Sequence, residues 1–75
     1  MGRLAGHKPR KVLRAFKHFG WELNRTKSSH HILKKEGHRD IVSIPCHGRR
    51  SVKEGLLHAQ LRVAGISTDE FLEKL

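Results

Sequence analysis

The sequence has a single cysteine, few acidic residues and no long apolar run. Cys46 has no second thiol with which to form an internal disulfide, which fits a reducing cytosol. No Cys or His pairs have zinc-finger spacing. No window approaches the ~18 consecutive apolar residues of a membrane span, and the residues after Met1 lack the apolar stretch of a signal peptide. We therefore expect a cytoplasmic protein that does not associate with membranes.

Basic residues outnumber acidic ones by more than two to one. The chain has 16 Lys and Arg against 7 Asp and Glu, a formal charge of +9 with neutral histidines. The excess lies in the first two thirds, since residues 1–50 contain only three acids, Glu22, Glu36 and Asp40. A membrane-surface helix would gather these charges on one element, whereas here they are spread over several. The charge predicts a polyanionic partner, most often nucleic acid, with simple solubility as the alternative.

The length of 75 residues allows one small domain and no second one. We expect a single domain over residues 1–75, with residues 1–7 as a flexible N-terminal tail. Pro9 suits the first turn of a helix over residues 9–19, and Gly20 is the expected stop. The apolar positions of this helix follow 3.6-residue spacing: Val12, Leu13, Phe16 and Phe19.

A change to period two after Gly20 predicts a sheet. The three predicted strands cover residues 21–26, 29–35 and 40–44. In the first strand, Trp21, Leu23 and Arg25 fall on one face. Pro45 closes the third strand, and the short loops make all three strands antiparallel. In the second strand, His31 and Leu33 share one face while His30, Ile32 and Lys34 share the other, unless a bulge near the turn reverses this assignment.

Two helices are predicted after the sheet. Apolar residues from Val52 to Ala64 recur at helical spacing up to Gly65, which ends that helix. Ser67 or Thr68 then caps a short last helix. The fold class is therefore α+β, with a three-stranded antiparallel sheet packed on two helices and a short C-terminal helix.

Seven histidines are many for so short a chain, and imidazole is the side chain whose ordinary pKa, about 6.5, suits proton transfer near neutral pH. We expect surface positions for four of them: His7, His18, His38 and His58. The adjacent His30 and His31 point to opposite faces of a strand, so one can lie over the core while the other meets a ligand.

His30 is the main candidate for chemistry, because Lys27, Lys34 and Lys35 are its basic neighbours. RNA carries its own nucleophile in the 2′-hydroxyl, so a base and nearby cations suffice for slow cleavage. The residue pattern alone leaves a second interpretation equally open, in which His30 only forms hydrogen bonds across the hairpin.

Two other chemistries are less favoured by the pattern. A metal site built from His30, His31, Cys46 and His47 is disfavoured because adjacent strand histidines diverge. A nucleophilic pair of Cys46 and His47 lacks a preorganised spacing as well, and a small buried thiol is the preferred interpretation of Cys46. We therefore expect neither a metal nor another cofactor.

Several blocks of the chain together resemble one known family. The blocks are Gly20-Trp21, Lys27-Ser28-Ser29-His30-His31-Ile32-Leu33, Val42-Ser43-Ile44-Pro45-Cys46-His47, Lys53, Gly55-Leu56, Leu61, Ala64-Gly65-Ile66-Ser67 and Glu70-Phe71-Leu72. In order and spacing they are similar to the HicA toxin family, the small mRNA interferases of bacterial toxin–antitoxin pairs. The likeness extends from about residue 9 to residue 75.

This resemblance implies an α-β-β-β-α fold like that of double-stranded-RNA-binding domains. It also implies a metal-independent endoribonuclease whose catalytic histidine corresponds to His30, with His31 as second choice, and a HicB-type antitoxin that covers the toxin and quenches it. Residues expected to bind RNA are Lys27, Ser29, Lys34, Lys35, Arg49 and Arg50.

The sequence departs from the family pattern at Ser28, where glycine is usual. If the backbone there needs φ above zero, serine carries strain of about 1 kcal/mol. The loop containing Arg49 and Arg50 is also more basic than expected, which bears on RNA preference. The role of His47 is left open by the sequence.

Two further functions compete with RNA cleavage. A non-catalytic module of the same fold would bind double-stranded RNA by shape. A corepressor acting on DNA is the third hypothesis, but the chain has no helix-turn-helix pattern, so DNA contact would come only indirectly, through the antitoxin.

Overall fold

The computed structural model describes residues 3–75 and consists of one helix, three strands and two further helices. The elements are α1 (Pro9–Lys17), β1 (Glu22–Lys27), β2 (His30–Lys34), β3 (Val42–Pro45), α2 (Glu54–Ala64) and α3 (Thr68–Glu73). The predicted α+β class and the α-β-β-β-α order are confirmed. No helix within residues 3–75 has the length and apolar character needed to cross a membrane.

The sheet is antiparallel throughout, in the order β1-β2-β3. In β1 the register shifts between Leu23, which pairs with Leu33, and Arg25, which pairs with Ile32. Paired residues share a face, so this bulge moves Arg25 to the face opposite Leu23. The prediction that Leu23 and Arg25 lie on one face was therefore wrong, because the sequence pattern does not reveal the extra residue.

The two faces of β2 differ as predicted. His31 pairs with Ile44 and Leu33 pairs with Val42, and these three apolar residues belong to the main core cluster. We call this the core face. The alternate residues of β2, which are His30, Ile32 and Lys34, lie on the opposite face, which we call the outer face. Ile32 is buried there but is not part of the main core cluster.

Helix α1 packs on the core face. It begins at Pro9 without a side-chain cap and ends before Gly20, whose φ of 90° is a left-handed conformation suited to glycine. A Cβ at Gly20 would also lie 3.2 Å from Cε of Lys35. The buried Phe16 of α1 meets Phe71 of α3 with ring centroids 4.9 Å apart, which joins the first and last helices.

Helix α2 covers the free edge of β3. The side-chain oxygen of Gln60 accepts a hydrogen bond of 3.0 Å from the backbone N–H of Ser43, so this edge strand does not present an unpaired donor there. Leu57 and Leu61 of the same helix enter the core. The helix ends as predicted at Gly65, whose φ is 73°.

Helix α3 begins with a capping box at Ser67, one of the two capping residues that the sequence predicts. The Ser67 hydroxyl accepts from the backbone N–H of Glu70 at 3.1 Å, and the Glu70 carboxylate accepts from the backbone N–H of Ser67 at 3.3 Å. Two donors at the start of the helix are thereby satisfied.

The N-terminal segment is packed on the domain, in contrast to the predicted tail over residues 1–7. Leu4 is buried in the core, and the carbonyl oxygen of His7 accepts a 2.9 Å hydrogen bond from the backbone N–H of Val52. Arg3 forms an exposed ion pair with Asp69 at 3.1 Å. The sequence did not predict this because an isolated leucine has no periodic partners. Met1 and Gly2 lie outside the described residues.

Candidate active site

His30 opens onto a groove at the end of the sheet. The groove has a volume of about 250 Å³, and its walls are formed by His30, Pro45, His47, Arg50, Ser51, Lys53 and Leu56. None of these side chains is acidic. Two imidazoles and two permanent cations therefore line one small depression, which we call the His30 groove. A depression of this kind attracts an anion such as a phosphodiester.

Backbone pairing between β2 and β3 positions the two imidazoles. His30 pairs with Pro45, and the backbone N–H of Cys46 donates a 2.7 Å hydrogen bond to the carbonyl oxygen of Ser29. His47 follows directly, and its ring centroid lies 6.2 Å from that of His30 in an edge-to-face arrangement of 82°. The register of the sheet thus brings together two histidines that are 17 positions apart in the sequence.

His31 faces a different groove on the core face. This depression, which we call the His31 groove, has a volume of about 510 Å³ and is lined by Lys8, Pro9, Arg10, Leu13, His31, Cys46, Gly48 and Arg49. The Lys8 ammonium donates a hydrogen bond to the carbonyl oxygen of Arg49 and so joins the two sides of the groove. The lining therefore combines apolar side chains with three basic ones, Lys8, Arg10 and Arg49.

Two polar side chains of the His31 groove, His31 and Cys46, are half-buried. Nδ1 of His31 is buried and has no hydrogen-bond partner within residues 3–75. The Cys46 thiol lies 3.7 Å from the carbonyl oxygen of Ile44, to which it donates, and burial raises the pKa of this thiol. A raised pKa lowers the thiolate fraction and so disfavours a nucleophilic role for Cys46. The sequence predicts a buried thiol, whereas Cys46 is only half-buried in the structure.

The two loop arginines are divided between the grooves. Arg50 lines the His30 groove and Arg49 lines the His31 groove. Both are expected RNA contacts, but only Arg50 lies in the same groove as His30. Lys27 is exposed at the end of β1 and pairs with His30 across the hairpin, so it flanks the same end of the sheet.

The remaining predicted RNA contacts are more scattered. Ser29 is half-buried in the turn, where its carbonyl oxygen is bound by Cys46. Lys34 is exposed on the outer face with His30 but pairs with Glu22 at the far end of β1. Lys35 contacts the Gly20 turn, about 17 Å along the chain direction from His30. Lys35 is therefore not brought to the His30 groove.

The structure adds a cation that the predicted RNA contacts omit. Lys53 immediately precedes α2 and lines the His30 groove with Arg50 and Ser51. In the sequence, only its position after a basic loop, at the start of a predicted helix, could have indicated Lys53 as an RNA contact. The signal was weak because helix-flanking lysines are usually solvated.

The other four histidines line neither the His30 groove nor the His31 groove. His7 Nε2 lies 2.7 Å from the carbonyl oxygen of Arg3, and the His38 ring packs on Trp21 with centroids 4.9 Å apart. His18 and His58 are exposed on or beside helices. Within residues 3–75, no three His, Cys, Asp or Glu side chains are grouped so that they could hold a metal ion.

Comparison with known protein families identifies the family to which this chain is related. A family described as the HicA toxin of bacterial toxin–antitoxin matches residues 9–66, from the start of α1 to just beyond α2. The chain belongs to the HicA toxin family. The matched part contains both imidazoles of the His30 groove, together with Arg50 and Lys53, whereas α3 lies beyond it. No curated protein matches the sequence.

Proposed function

We propose that this HicA-family toxin is an endoribonuclease that cleaves mRNA with His30 as an acid–base group. The observation that carries the proposal is the placement of His30 in a groove whose charged walls are only basic, in a toxin-family chain. The proposed reaction has no need of a metal, because RNA supplies the nucleophile and the side chains supply proton transfer and positive charge.

RNA suits the surroundings of this groove. Arg50 and Lys53 are placed to hold phosphate oxygens, and Lys27 extends the basic surface across the hairpin. The formal charge of +9 supports binding of a polyanion in general. The 2′-hydroxyl distinguishes RNA from DNA as a substrate, because DNA has no internal nucleophile at this position.

The proposal includes a HicB-type antitoxin as the protein partner. Family membership implies a toxin–antitoxin pairing. A partner that covers the His30 groove with acidic side chains would complement Arg50 and Lys53 and would exclude RNA. In this proposal the antitoxin also provides any contact with DNA.

Induced expression in a bacterial host tests the function most directly. Wild type, His30→Ala and His58→Ala are expressed at equal soluble levels while growth and the integrity of several mRNAs are followed. His58 is the matched control, because it is an exposed histidine on α2 that lines neither groove. We expect growth arrest and mRNA loss with wild type and His58→Ala, and neither effect with His30→Ala.

The alternative is a non-catalytic module that binds double-stranded RNA. It predicts that purified wild type and His30→Ala bind RNA with similar affinity and that neither cleaves it. Harmless expression of soluble, folded wild type would favour this alternative. Cleavage that survives in His30→Ala would refute the assignment of His30 while leaving a ribonuclease in place.

A further inference from the structure

The His30 groove contains a second imidazole that the proposed function does not use. His47 is exposed, and its ring centroid lies 6.2 Å from that of His30. The two rings come from different elements, since His30 begins β2 and His47 follows β3. The pairing of His30 with Pro45 and the 2.7 Å bond from Cys46 to Ser29 fix the backbone on both sides of the groove.

The spacing of the two rings suits a single phosphodiester. A proton-transferring group must lie about 2.6–3.2 Å from the oxygen it serves. Two rings separated by 6.2 Å at their centroids can each reach one oxygen of a phosphate bound at the mouth of the groove. Arg50 and Lys53 line the same groove, so positive charge is available where the phosphate would lie.

We propose that His47 is a second catalytic residue, the general acid that complements His30 as general base. This inference rests on the proposed ribonuclease function. His30 accepts the proton of the 2′-hydroxyl, and the 2′-oxygen forms a bond to phosphorus. The bond from phosphorus to the 5′-oxygen breaks, and His47 gives its proton to that oxygen. The products are a 2′,3′-cyclic phosphate and a 5′-hydroxyl, with His30 protonated and His47 neutral until solvent restores them.

The cations have a separate role in this scheme. Negative charge builds on the non-bridging oxygens as the fifth bond to phosphorus forms, and Arg50 and Lys53 are placed to stabilise it. Neither cation transfers a proton. Because the histidines transfer protons and the cations only stabilise charge, replacing a histidine should change the pH profile of cleavage. Replacing Arg50 or Lys53 should lower the cleavage rate at every pH.

A structural role for His47 is the competing explanation. An edge-to-face pair of rings can stabilise a fold without taking part in chemistry. Such a role would change stability in His47→Ala but would leave the dependence on the leaving group untouched. The test must therefore report on protonation of the 5′-oxygen and not only on rate.

The experiment compares purified wild type, His30→Ala, His47→Ala, His47→Gln and His58→Ala on two short RNAs. One RNA is normal, and the other has sulfur in place of the 5′-oxygen at a mapped cleavage site. A thiolate is a far better leaving group than an alkoxide, so its departure does not need an acid. We expect His47→Ala to cleave normal RNA about 10²- to 10⁴-fold more slowly than wild type. On the sulfur-containing RNA its rate should recover to within about tenfold, whereas His30→Ala should stay slow.

The pH profile gives an independent readout. The base must be neutral and the acid protonated, so wild type should show a bell-shaped dependence of kcat/KM on pH. The charged groups that face the two rings are Lys27 across the hairpin and Arg50 and Lys53 in the groove, and all three are kept in these variants. His47→Ala should lose the descending limb at high pH and keep the ascending limb.

The outcomes separate this inference from the function on which it rests. Absence of cleavage by wild type overturns both. Cleavage that depends on His30 but proceeds at the wild-type rate in His47→Ala and His47→Gln overturns the second catalytic residue alone. Equal losses on both RNAs, with folding confirmed by circular dichroism, also overturn it, because they show that His47 only positions the substrate or the groove.

Discussion

His30 and His31 are adjacent in the sequence, yet they face grooves of different character. The His30 groove combines a second imidazole with Arg50 and Lys53. The His31 groove combines apolar and basic side chains with a buried Nδ1 atom that has no partner in the described chain, residues 3–75. The period of a β-strand produces this separation. Residue type alone therefore does not distinguish the two histidines, whereas the neighbours supplied by other strands and loops do.

The largest expected difference lies in catalysis by the two neighbours. His30→Ala should lower RNA cleavage by about 100-fold or more, because it removes the proposed proton-transferring group. His31→Ala should retain cleavage within about tenfold of wild type, since His31 is on the core face and does not line the His30 groove. Initial rates on one RNA at equal folded concentration provide the measurement. A greater loss of cleavage in His31→Ala than in His30→Ala would reverse the assignment of the catalytic histidine and would indicate the His31 groove as the active site.

The same comparison can be made for stability with the isoleucines of the two faces. Ile44 is fully buried in the core cluster, opposite His31, whereas Ile32 is 7% exposed on the outer face with His30. Ile44→Ala should lower the free energy of unfolding by about 3 kcal/mol, near the middle of the range for buried residues. Ile32→Ala should cost about 2 kcal/mol, because fewer core side chains surround it.

Urea unfolding followed by the fluorescence of the buried Trp21 measures this difference. If Ile44→Ala does not fold, the pair Ile44→Val and Ile32→Val gives a milder comparison, with costs of about 0.5–1.5 kcal/mol at core positions. An equal or greater cost at Ile32 would show that the outer face contributes to the core as much as the core face does.

The sequence predicts the local features of this fold better than the distant ones. Pro9, Gly65 and the Ser67 capping residue mark helix boundaries because each acts within one or two turns of the chain. The divergence of His30 and His31 follows from strand geometry alone. By contrast, no characteristic residue type marks the bulge that moves Arg25 to the outer face.

The contents of the His30 groove depend on pairing between strands, which the sequence does not display. The approach of His47 to His30 requires the register that places Pro45 opposite His30. The division of Arg49 and Arg50 between grooves depends on the path of one loop. Similarly, the burial of Leu4 requires contacts with residues far away in the chain. The sequence therefore indicates His30 as a candidate base but does not indicate that His47 lies near it.

The smallest expected effect concerns the turn that leads into His30. Ser28 has a φ of 55°, so the condition for backbone strain is met at the position where the family usually has glycine. Ser28→Gly relieves about 1 kcal/mol of strain, but glycine adds about 0.4–1 kcal/mol of conformational entropy to the unfolded chain. We expect a net gain of up to about 0.5 kcal/mol, which corresponds to a rise in Tm of about 2–4 °C.

Ser29→Gly is the matched control for this last prediction, because Ser29 is in the same turn and is not among the residues with positive φ. It should gain nothing from relief of strain and should lower the Tm. Ser28→Gly keeps the pairing of Lys27 with His30, so its cleavage rate should stay within about threefold of wild type. Ser29 is an expected RNA contact, so Ser29→Gly serves as a control for stability alone. A fall in Tm for both variants would mean that Ser28 is not strained. An altered rate in Ser28→Gly at unchanged stability would mean that the serine tunes the position of His30, which would make the turn part of the difference between the two histidines.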